Sequence, residues 1–148
     1  MRTVSGWGLV ATVLLFGSSC GYLQSGTWED DERNWSRAFG SEKPAAYVVV
    51  HSRYSRSAHW TYEFRYLFQI KANDSFKQEL FARNKLKQLP AGSVAEAIRN
   101  PFGDSPSWFC PKGPSSYDAW VHHDSPDSNF RVLIDKDSGD IFLKDYQV

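Results

Sequence analysis

The chain has little of what reactive or metal-binding sites are made from. It contains two cysteines, four histidines and one methionine in 148 residues. No Gly-rich phosphate loop, zinc-type Cys/His spacing or nucleophile-elbow motif occurs in it. Its 17 basic and 17 acidic side chains balance, which removes the global electrostatic case for nucleic acid or an acidic membrane surface as partner. Apolar runs are short too. The longest, Trp7 to Phe16 (WGLVATVLLF), is about ten residues and rises only about 15 Å as a helix, half of a hydrocarbon core about 30 Å thick.

What is present begins with that run. One positive charge, Arg2, precedes it and small residues follow, the layout of a secretory signal. The next residues are Gly17-Ser18-Ser19-Cys20 (GSSC). This stretch resembles the lipobox of bacterial lipoproteins, in which small residues precede a cysteine that is lipidated and becomes the new N-terminus. Gly17 stands where the family usually has Leu, and Gly17 with Ser19 also fits a small-x-small cleavage site. The resemblance implies a signal peptide over 1–19, lipid attachment at Cys20 and a tether over 20–26. With Gly21 rather than Asp after the cysteine, it implies an outer-membrane anchor facing the periplasm. The alternative is a soluble periplasmic or secreted protein.

Residues 27–148 suit one domain with its own core. Aromatics make up 16% of the chain, and every tryptophan except Trp7 falls in this part. Large rings contribute much burial per residue. Cys110 sits in Trp108-Phe109-Cys110-Pro111, an apolar setting in which a thiol packs as a small hydrophobe. A disulfide to an unlipidated Cys20 and a nucleophilic role are the alternatives.

Thr27 as N-cap, the acidic run Glu29 to Glu32, the later Arg33 and Arg37, and Gly40 as stop predict a helix over 28–39 with Trp28, Trp35 and Phe39 on one face. Ala45 to Arg53 reads as a strand. Trp60, Tyr62, Phe64, Tyr66, Phe68 and Ile70 alternate with Thr61, Glu63, Arg65, Leu67, Gln69 and Lys71, which predicts a strand with one buried aromatic face. Between the two lies Arg53 to His59, read as a hairpin loop. Exposed Arg and Tyr favour contact sites, so Arg53, Tyr54, Arg56 and His59 are the candidate partner contacts.

Asn73-Asp74-Ser75 offers N-caps, with Ser75 and Gln78 as a capping box, and Ser93 with Glu96 repeats the pattern before Asn100-Pro101 stops a short helix. Residues 100–116 form an extended connection pinned by Trp108 and Phe109. Tyr117–His123, 130–135 and 141–146 then read as a three-strand meander, its last turn built on Asp135 to Asp140. A calcium loop is disfavoured there because Gly139 and Asp140 fall at the wrong positions. His122-His123-Asp124 is a weak metal cluster, because neighbours on a strand point to opposite faces. Val132 to Ile141 also resembles the terminal hairpin of small secreted α+β domains such as the PepSY and NTF2-fold immunity families.

The expected fold is a single α+β domain. A curved antiparallel sheet of about five strands packs on an N-terminal helix and two short helices. The expected function is non-enzymatic binding, without cofactor, metal or nucleic acid. The partner is a protein or other envelope component, an immunity- or inhibitor-type protein being one version. The alternative is a small hydrophobic-ligand or lipid-binding lipoprotein, and an enzyme with an unrecognised site comes third.

Overall fold

The computed structural model describes residues 25–58, 63–103 and 105–147. Cys20, His59, Trp60 and Tyr62 lie outside them, and so does the leader.

Among the described residues the strands are β1 (Gly26–Glu29), β2 (Val49–Arg56), β3 (Phe64–Ile70), β4 (Leu86–Gln88), β5 (Tyr117–His122), β6 (Arg131–Asp135) and β7 (Ile141–Gln147). The α-helices are α1 (Asn34–Phe39), α2 (Asp74–Asn84) and α3 (Val94–Ile98). All the strands join one seven-stranded sheet in the order β1-β2-β3-β7-β6-β5-β4, antiparallel throughout. The α+β class and the single sheet agree with the sequence, and β1 and β4 bring the strands to seven. No helix among the described residues is long and apolar enough to cross a membrane.

The expected helix over 28–39 is shorter by its first half. Residues Gly26–Glu29 pair with Arg53–Arg56 at the sheet edge, and α1 starts only at Asn34. The acidic run makes the turn between them. Asp30 takes φ 48°, and its backbone and carboxylate both bond Ser52. Asp31 accepts from the Arg33 amide at 2.8 Å and pairs with Arg37 at 3.2 Å, which holds its carboxyl down at about 2. These carboxylates fix a corner instead of decorating a helix dipole. Gly40, with φ 66°, ends α1 as expected, its amide donating to the Ser36 carbonyl at 2.9 Å.

The cap of α2 is Asn73, whose side chain accepts from the Phe76 amide at 2.8 Å, rather than a Ser75/Gln78 box. Ser93 makes no side-chain cap on α3. At the last turn Asp135 accepts from the amides of Asp137 and Ser138, and Gly139 at φ 74° closes the β6–β7 hairpin.

The sheet is covered on both faces. Tyr66, Phe68 and Ile70 of β3 share one face with Ile141 and Leu143 of β7 and Val132 and Ile134 of β6, beneath Trp35 of α1 and Phe76 and Leu80 of α2. The opposite face carries Leu67, Leu133, Phe142, Tyr117 and Ala119 beneath Val94 and Ala97 of α3, with Phe109 and Cys110 from the long connection. Leu67, which alternates with the aromatic face, is 0% exposed. The reason is that α3 and the long connection pack on this second face and bury its apolar side chains. Trp108 and Phe109 do pin the connection, stacking on His51 at 5.3 Å and standing edge-on to Phe142 at 5.8 Å.

Lys144 is an exception on that second face. It is 4% exposed, its Nζ donates to the Arg99 carbonyl at 2.6 Å, and burial holds its pKa down at about 8. The unfolded chain, with an ordinary lysine, then binds more protons between those two values, so stability rises with pH through that window. Urea unfolding of the wild type is expected to gain on the order of 1–2 kcal/mol from about pH 7.5 to about pH 9.5 relative to Lys144→Met. Parallel curves for the two proteins would refute this.

Candidate functional site

Packing short helices on a wide sheet leaves one face incompletely filled. Between α1, α2 and the sheet lies a cavity of about 480 Å³. Its walls are mostly rings: Trp35 and Phe39 from α1, Tyr47 from the strand approach, Phe76 and Leu80 from α2, Tyr66 from β3 and Phe130 ahead of β6. The rings brace each other. Trp35 meets Phe39 at 4.6 Å, Tyr47 meets Phe76 at 4.7 Å and Phe39 meets Tyr66 at 5.3 Å.

Helix and strand periodicity place the polar groups. On α2, Glu79 and Arg83 are one turn apart and form an ion pair at 2.6 Å, and the Tyr47 hydroxyl also donates to Glu79. On β7, Asp145 continues the parity of Ile141 and Leu143 and so faces the cavity with them, opposite Tyr66 in the ladder. Burial pushes the Asp145 carboxyl up from the usual carboxylate range, and among the described residues its one hydrogen bond is from the Tyr146 amide at 2.9 Å. Tyr66 is 5% exposed, and burial next to Asp145 pushes its phenol well up. His122 stacks on Phe130 at 4.8 Å. Its Nδ1 must donate to the Asn84 carbonyl, 3.0 Å away, because a carbonyl oxygen can only accept.

The candidate contact residues are dispersed. Arg53, Tyr54 and Arg56 are strand residues of β2, not a loop. Alternation sends Tyr54, 3% exposed, into the core and Arg53 to the other face, where Glu29 pairs with it. Arg56 lines a separate hollow of about 390 Å³ at the β2–β3 hairpin end with Glu63, Arg65 and Phe102. His123 turns away to Asp124 at 2.9 Å while His122 joins the cavity. Among the described residues no three His, Cys, Asp or Glu groups are placed to hold a metal. Cys110 is buried at φ 48°, and burial pushes its thiol up, which keeps it protonated.

The cavity can hold an apolar body and offer it a carboxylate, a phenol and an imidazole. Sequence reasoning missed Asp145. The available signal was an acid extending the i, i+2 series of Ile141 and Leu143. A carboxyl group with a raised folded pKa adds stability below its unfolded value and loses it as pH rises through the folded one. Asp145→Asn is therefore expected to raise the melting temperature near pH 7 and leave it unchanged near pH 3. An unchanged or lowered value near pH 7 would contradict the burial argument.

No protein-family model matches the chain, and neither a curated protein nor a solved structure does.

Proposed function

We propose that this is a lipid-anchored envelope protein that works by binding, and that a small apolar ligand occupies the cavity beneath α1 and α2. The observation that carries the ligand reading is the cavity itself. Its volume of about 480 Å³ and ring-lined walls with a few convergent polar groups have the character of a small-molecule site. The lipobox-like GSSC supports the anchor. With Cys20 lipidated, six residues separate the membrane from Gly26, so the start of β1 stays within about 20 Å of the bilayer surface. Cys110 then has no disulfide partner within the chain, and its burial supports a packing role.

Contact with an envelope protein is the second reading. The hollow at the hairpin end favours it, where Phe102 is 46% exposed and the Arg65 guanidinium lies 5.9 Å from its ring. Arg and aromatic side chains are the common anchors of such contacts.

Radiolabelled palmitate is expected on the wild type and not on Cys20→Ala; label on both, or on neither, refutes the anchor. Titration with N-phenyl-1-naphthylamine is expected to saturate at one site per chain. Leu80→Trp, which puts bulk into the cavity, should weaken binding at least tenfold while far-ultraviolet circular dichroism stays unchanged. Equal binding by a folded variant would refute the ligand reading.

A further inference from the structure

The charges around the cavity do not cancel. Glu79 is engaged by Arg83 at 2.6 Å and by the Tyr47 hydroxyl, so that carboxylate is matched. Asp145 has no basic side chain within ion-pair distance among the described residues. His122 and Arg131 act on it only through longer-range attraction. Tyr66 beside it has no hydrogen-bond partner for its hydroxyl among the described residues, although the residue is 5% exposed. Folding thus places one half-buried carboxylate without a counter-charge and one phenol oxygen, both able to accept, among aromatic faces, with the buried Trp35 Nε1–H, a donor, also without a partner among the described residues. Such an arrangement is costly for the protein alone, because a half-buried carboxylate loses part of its water without gaining a counter-charge.

A ligand can supply what is missing. Ring faces carry negative electrostatic potential and attract cations, most strongly when desolvated. Trp35, Phe39, Tyr47 and Tyr66 provide those faces, and Asp145 provides a full negative charge. An anionic head would meet this carboxylate unscreened, and a neutral one would leave it unmatched.

We propose that the cavity takes an organic cation, an amine or quaternary ammonium on an apolar body, with the cationic head against Asp145 and Tyr66 and the apolar part among the α1 and α2 rings. This rests on the reading of the cavity as a ligand site, and it names the ligand's chemical class. The Glu79–Arg83 pair, further along α2, stays engaged with itself and takes no part in recognising the head.

The test uses the full-length protein in zwitterionic nanodiscs, with empty nanodiscs subtracted. It compares three probes of one chain length by calorimetry: hexyltrimethylammonium, hexan-1-ol and hexane-1-sulfonate. The cation is expected to bind at least tenfold tighter than the alcohol, and the sulfonate weaker than both. In Asp145→Asn, shown folded by its melting curve, the cation should fall to the affinity of the alcohol, whose own binding stays unchanged. A cation that binds no better than the alcohol, or binds Asp145→Asn as tightly as wild type, overturns the inference and leaves the apolar-ligand reading standing. Failure of all three probes to bind overturns both.

Discussion

The pairing of β3 with β7 at the middle of a seven-stranded sheet sets the requirement that everything else answers. Both strands carry apolar side chains on both faces, so each face needs a cover. Leu67 and Phe68 are adjacent and both 0% exposed, pointing to opposite layers. One layer is covered by α3 and by Phe109 and Cys110 of the long connection. The other is covered by α1 and α2, whose large rings brace each other without filling the space. A sheet wider than its covering helices produces the cavity.

The same geometry explains why the cavity has a polar lining. Parity along β7 is rigid: a residue two beyond Leu143 must face where Leu143 faces, whatever its chemistry. Asp145 therefore lies in an aromatic layer and Lys144 in the opposite one, the first pushed up by burial and the second held at about 8. Lys144 has its acceptor, the Arg99 carbonyl. Among the described residues Asp145 has only the neighbouring amide, so the cost of its partial burial is uncompensated there. A half-buried carboxyl pushed up by its surroundings in a cleft is a common mark of a binding site.

Much of this was legible in the sequence where a pattern repeats. The alternation from Phe64 to Ile70, the meander after Tyr117, Gly40 as a helix stop and Trp108-Phe109 as a clamp all stand as read. What escaped was short or long-range. β4 is three residues that become a strand only by pairing with β5, and β1 is four residues whose Thr27 and acidic neighbours imitate a helix start. The burial of Leu67 was not legible because alternation reports one face at a time, and Phe109 and Cys110, which bury it, lie some forty residues on. Tyr54 looked like a tip residue because nothing local shows that β2 runs on to Arg56. The site was hardest to see, since Trp35, Tyr66, Glu79, His122 and Asp145 meet only through the fold.

Where a bound apolar molecule sits is the central question, and hydrogen exchange read by mass spectrometry answers it most directly. With N-phenyl-1-naphthylamine bound to the full-length protein, amides in α1, α2 and the facing stretch of β3 should exchange more slowly. Those in α3 and β4, on the opposite layer and the far edge, should be unchanged. Slowing confined to the β2–β3 hairpin end, or spread evenly over both layers, would contradict the account.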